Sequence, residues 1–168
     1  IIVFGSIFSV MWVKLSKIGK NPSIPLKFCF GIVQLALGFL VTKVGFQFVN
    51  ESFQVPLLTL VFLYMLHTTG ELFLSPIGLS MVTKLSPKSM AGTAMGAWFL
   101  SFAIANYVGG KIAAITGGHG GSDEAMSIGE GLNQYLDIFS TIGYVLLGIA
   151  LIILLLNKPI KKLMHGVE

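Results

Sequence analysis

Apolar residues in this chain come in long, nearly unbroken runs. They show neither the alternation of a half-buried strand nor the narrow stripe of a helix lying on a soluble core. Four runs, about 28–46, 55–83, 90–116 and 135–156, approach or exceed the roughly 20 apolar residues that a spanning helix requires. A fifth, 1–13, is too short to span alone. It lacks the basic n-region and small-residue cleavage site of a signal peptide, so it reads as the tail of a helix that starts upstream, and the chain reads as a fragment. The pattern predicts an all-α membrane protein with four complete spans, one partial span and no second, water-soluble domain.

The connections carry helix-breaking and capping residues. Pro22 and Pro25 are expected to break the chain ahead of the 28–46 helix. Ser86-Pro87 reads as an N-cap followed by a first-turn proline, and Asn157-Lys158-Pro159 as the stop of the last helix. Residues 117–131 are rich in glycine with scattered acids, which predicts a flexible loop.

Composition agrees with this reading. Of the 168 residues 54% are hydrophobic and 11% charged, against about 25% charged in a soluble domain. So few charges cannot coat a water-facing surface, which excludes a soluble enzyme. The net charge of +4 comes from lysine alone, dispersed between apolar runs, so nucleic acid is not an expected partner. The single cysteine, Cys29, excludes a disulfide framework and reads as a small residue in the bundle or facing lipid.

The lysines also predict orientation. Lys14, Lys17, Lys20, Lys27, Lys84, Lys88, Lys158, Lys161 and Lys162 fall in alternate connections, with only Lys43 and Lys111 toward the other side. The positive-inside rule then puts the nine, and the C-terminus, in the cytoplasm of a cell whose inner membrane the chain crosses several times. Lys158–Lys162 either attracts anionic lipid heads or only sets topology. Glu51, Asp123, Glu124 and Glu130 mark the outer loops, with Asp137 near their edge.

One acid remains inside an apolar run. Glu71 sits near the middle of 55–83, where a carboxylate costs several kcal/mol unless it faces a cavity or a partner. His67, Glu71 and Ser75 are spaced four apart and are expected to share a helical face, with Thr68 and Gly78 flanking it. A carboxyl in low dielectric favours its neutral form and one beside a cation its charged form, so a group there can exchange a proton for an ammonium. The alternative is a structural acid bonded to a neighbouring helix. Pro76 cannot donate to Leu72, which predicts a kink, and Gly70 and Gly78 allow close approach on either side of this hinge. An ordinary proline bend is the plainer reading. His67 with Glu71 lacks the further ligands of a zinc site, as does His119, so no metal is expected.

In the next run Gly92 and Gly96 form GxxxG, which permits tight helix contact. Trp98 lies deep in the span, either lining a pocket or packed. Asn106 is expected to bond across to another helix.

The stretch Gly70-Glu71-Leu72-Phe73-Leu74-Ser75-Pro76-Ile77-Gly78-Leu79-Ser80, then Lys84-Leu85-Ser86-Pro87 and Gly96-Ala97-Trp98-Phe99, resembles the proton-dependent oligopeptide transporter family of the major facilitator superfamily. Trp12 with Leu15, Asn21-Pro22-Ser23-Ile24-Pro25, Lys27-Phe28 and the closing Lys161-Lys162-Leu163-Met164-His165-Gly166 match as well, so the resemblance covers essentially the whole chain. It implies the C-terminal part of a twelve-helix bundle, from the end of helix eight through helix twelve. It further implies that Glu71 meets a peptide's amino terminus, with Ser75, Trp98, Phe99 and, more loosely, Phe102 lining the pocket. No cofactor is implied beyond protons as coupling ion. The expected partners are di- and tripeptide substrates, membrane lipid and the carrier's missing N-terminal half, which would supply the proton-coupling cluster and the group for the peptide carboxylate.

The expected function is proton-coupled symport of di- and tripeptides. The rivals are a related carrier for nitrate or a drug-like solute, which would not need Glu71, and a non-transport membrane subunit. An intramembrane protease is not expected: there is one midplane acid, and His67 lies two turns from Ser75.

Overall fold

The computed structural model describes residues 1–52, 54–116 and 127–164. Six helices follow one another: α1 (Ile2–Lys17), α2 (Ile24–Gly45), α3 (Leu57–Leu85), α4 (Ala91–Thr116), α5 (Ile128–Leu155) and a short α6 (Asn157–Leu163). Tight 3-10 turns at Phe46–Phe48 and Lys88–Met90 extend α2 and lead into α4. Among the described residues there is no strand. The α2 segment, α3 and α5 are each long and apolar enough to cross a membrane.

Local chemistry at the helix ends departs from the expected breaks. Ser23 holds extended backbone at the N-cap and Pro25 sits inside the first turn of α2. A first-turn proline forfeits no helical hydrogen bond, so Pro25 starts this helix rather than stopping the chain ahead of it. Ser86 does not cap α4: its hydroxyl donates to the Val82 carbonyl at 2.5 Å, closing the end of α3. α5 begins at Ile128, inside the stretch expected to be loop, because Ser127 and Glu130 form a reciprocal capping box. The rest of that loop, with His119, Asp123 and Glu124, lies outside the described residues. Asn157-Lys158-Pro159 ends α5 but opens α6, again with proline in the first turn.

α2 is the central helix, and two seven-residue spacings explain why. Gly31, Gly38 and Gly45 form one line and are met by α3 residues running the opposite way. A Cβ on Gly31 would lie 2.9 Å from the Gly70 carbonyl oxygen and 2.8 Å from Leu74, while Gly38 is covered by His67 and Gly45 by Thr59. On the adjoining face of α2, Cys29 donates to the Ala150 carbonyl at 3.4 Å, and fully buried Ala36 turns its carbonyl to Gly143 of α5. A seven-residue spacing stays on one face when helices wind slightly around each other. Missing side chains let the backbones approach, which makes van der Waals contact the main glue where lipid replaces water.

The remaining helices attach at the edges. α1 leans on α3 through Phe8 and Trp12, whose rings meet Phe73 edge-to-face at 5.0 and 5.2 Å. The ammonium of buried Lys27 lies 4.9 Å over the Trp12 ring. At the same end, Ser23 donates to Asn157 at 2.8 Å, and Ile24, Met81, Ile160 and Met164 come together, so α2, α3 and α6 converge. α4 is exposed along most of its length. Among the described residues no neighbouring helix packs on Gly92 or Gly96: a Cβ on either meets none of their atoms within 4 Å.

Candidate functional site

α3 carries the candidate chemistry on one uninterrupted helix that continues through Pro76. Successive residues point about 100° apart on a helix of 3.6 residues per turn, and this rotation sorts the polar groups. Thr69 and Gly70 are buried toward α2, where Gly70 approaches the Gly31 carbonyl, and the Thr69 hydroxyl is satisfied by the Met65 carbonyl at 2.8 Å. Glu71, one residue on, is turned away from that contact and is exposed. Among the described residues no hydrogen-bonding or charged side chain pairs with it.

His67 does not share that exposed face. It is half-buried against α2, on Gly38, with its ring 4.6 Å from the Phe39 ring. Its Nε2 is buried without a partner among the described residues. Four-residue spacing turns 400°, so a stripe drifts by about 40° per step. That drift carries His67 onto the helix contact while Glu71 stays outside it. Ser75 is half-buried one turn beyond Glu71, and Pro76 is exposed beside it.

The aromatic residues of α4 meet α3 two turns along from Glu71. Gly78 is buried, and the six-membered ring of Trp98 occupies the space its side chain would need. A Cβ there would lie 2.7 Å from Trp98 Cζ2, closer still to Cη2, and 3.2 Å from Phe28 Cζ. Trp98 continues edge-to-face into Phe102 with ring centroids 6.2 Å apart, and Phe102 lies 6.3 Å from Phe99. Phe99 and Phe102 are 59% and 45% exposed, so this ladder has an open side. Among the described residues Asn106 bonds to no other helix; it donates to the Phe102 carbonyl at 2.8 Å within α4.

The structure thus joins Trp98, Phe99, Phe102 and Gly78 in one cluster, and sets Glu71 and Ser75 farther along the same α3 face. Phe28, which braces Gly78 from α2, was not among the expected residues. Its signal was present in the residue classes, an aromatic facing a glycine, but the pairing crosses helices that sequence spacing alone cannot register. Among the described residues no group of three or more His, Cys, Asp or Glu side chains gathers where a metal ion could sit.

Comparison with known proteins gives a consistent result. The family model described as POT family matches residues 1–126. Dipeptide and tripeptide permease B of Aeromonas hydrophila is 30% identical over 167 residues, covering 99% of this chain and 33% of the relative. The uncharacterized transporter YclF of Bacillus subtilis is 34% identical over 167 residues, covering 99% and 30%. A crystal structure of a peptide transporter POT in complex with sulfate superposes with a TM-score of 0.79 at 33% identity, covering 98% of this chain and 30% of that one. The chain therefore spans about a third of the length of the curated relatives it matches.

Proposed function

The chain belongs to the POT family, and on that premise we propose that it is the C-terminal part, from the end of helix eight through helix twelve, of a carrier that takes up di- and tripeptides together with protons. Members of this family are transporters rather than enzymes. The observation that carries the reading is Glu71, a carboxylate on the exposed face of a long apolar helix with no partner among the described residues. A charge so placed calls for a cation, and the amino terminus of a peptide supplies one. The permease relative is named for dipeptides and tripeptides, which supports that substrate class.

In this reading Glu71 holds the peptide amine, Ser75 offers a hydroxyl one turn away, and Trp98, Phe99 and Phe102 form a wall that accepts varied side chains through non-directional contact. Pro76, with Gly70 nearby, is the point at which α3 bends as the two halves of the carrier rock about the site. The lysine-bearing ends gather on the cytoplasmic side of the inner membrane, and the remainder of the carrier supplies the groups for the peptide carboxylate and for proton coupling. No cofactor takes part.

The test is competition. Dialanine is expected to inhibit uptake of a labelled dipeptide by the full-length carrier, while N-acetyl-dialanine, which has no cationic amine, is expected to inhibit at least about tenfold more weakly. Equal inhibition by the two overturns the role of Glu71 and favours a carrier for solutes without an amine.

A further inference from the structure

We propose that an apolar pocket at the lysine-bearing end is the seat that Met81 enters when α3 bends at Pro76, and that α6 is the stop that limits this bend; this rests on the chain being part of a carrier, whatever its solute. The pocket has a volume of about 160 Å³ and lies between Met81 of α3, Ile24 and Phe28 of α2, Ile153 of α5, and Ile160 and Met164 of α6. Among the described residues no polar side chain lines it.

Three of the four walls are tied to one another. Cys29 of α2 bonds to the Ala150 carbonyl of α5, and the Ile160 N–H donates to the Leu156 carbonyl at 3.0 Å, which joins α6 to the end of α5. Ser23, at the start of α2, donates to Asn157 at 2.8 Å, and both Ile24 and Met164 are buried. Asn157, Ile160 and Met164 are spaced three and four apart, so α6 turns them to the bundle and leaves Lys158, Lys161 and Lys162 exposed. The fourth wall is held less firmly. Pro76 supplies no N–H to the Leu72 carbonyl, and Gly78 is the last buried residue of α3, so Leu79–Leu85 has none. Met81 lies three residues past Gly78, about 60° around the helix from it, and faces the pocket. A loosely held helix end beside an apolar void has both the freedom and the space to move, and an unbranched, adaptable methionine suits a side chain that repacks there. Ile160 and Met164 then meet Met81 and block further travel, because α2 and α5 hold α6 in place. Met81, Ile160 and Met164 are positioning residues that touch no substrate.

The experiment locks the seat. In the full-length carrier with Cys29→Ser, Met81→Cys and Ile160→Cys are bridged by a short bifunctional thiosulfonate, and labelled dialanine uptake is measured before bridging, after it and after reduction. Bridging fixes the inner end of α3 on α6, so uptake is expected to fall about tenfold or more and to return on reduction. Full uptake by the bridged carrier overturns the proposal. The bridging rate is a second readout that needs no solute. Pro76→Ala restores the N–H that bonds to Leu72 and holds α3 straight, so bridging is expected to be about threefold or more slower. Equal rates with proline and alanine overturn the proposal. Where the paired cysteines fail to insert, Ile153→Phe fills the pocket instead. Its maximal uptake rate is expected to fall about threefold or more at an unchanged half-saturating concentration, and an unchanged maximal rate overturns the proposal. Absence of dialanine uptake by the unsubstituted carrier removes the peptide reading alone, and the bridging rates still decide whether Met81 moves onto α6.

Discussion

Glu71 lies on the exposed side of α3, and the Trp98 indole of α4 seats on Gly78 two turns along the same helix. Gly70, its neighbour, presses an adjoining side of α3 onto α2 and leaves Glu71 exposed. Substituting Gly70 tests that contact: a Cβ there would lie 2.9 Å from the Gly31 carbonyl, so Gly70→Ala is expected to destabilise the protein by about 1–3 kcal/mol, read as a lowered unfolding midpoint in detergent. Ser127 is a second residue with a local role. Ser127→Ala removes the capping box and is expected to cost about 1 kcal/mol, seen as earlier melting of α5 in hydrogen exchange. Glu71 was legible in the sequence because an acid inside an apolar run needs a reason. His67 was misplaced onto its face because four-residue spacing drifts, and the drift matters only once a neighbouring helix is present to decide which side is buried.

At the scale of the element, the glycines divide into those that are covered and those that are not. Gly31, Gly38 and Gly45 are covered by α3, whereas Gly92 and Gly96 face open space. The expectation is that Gly31→Ala destabilises by about 1–3 kcal/mol through collision with backbone, while Gly92→Ala changes stability by no more than about 0.5 kcal/mol; parallel unfolding curves in detergent separate the two. Among the described residues the GxxxG pair meets no neighbour, since a short motif marks capacity for close approach and not the presence of a partner. The seven-residue line of α2 carried the real contact, but recognising it requires the opposing residues on α3, far away in sequence. Helix ends followed the same logic. Proline and serine marked the boundaries of α2, α4 and α6 within a few residues, yet whether Ser86 closes one helix or opens the next depends on where its hydroxyl turns.

For the molecule as a whole, antiparallel packing of α2, α3 and α5 collects the lysine-rich connections at one end, where Ser23 bonds to Asn157. If that end is cytoplasmic, Lys158→Cys is expected to react with a membrane-impermeant maleimide in inside-out vesicles and not in intact cells; buried Cys29 gives little background. Labelling in intact cells contradicts the orientation. The all-helical, membrane-spanning character was readable from composition and run length alone, because lipid leaves few alternatives to the helix. The seating of Trp98 in the Gly78 notch was not, since it joins two helices. Concentrative uptake of labelled dialanine by the full-length carrier, compared with its Glu71→Gln variant at equal membrane abundance, tests the central claim most directly. The account predicts that the variant reaches the membrane and accumulates no dialanine above the outside concentration; accumulation at the unsubstituted rate contradicts it.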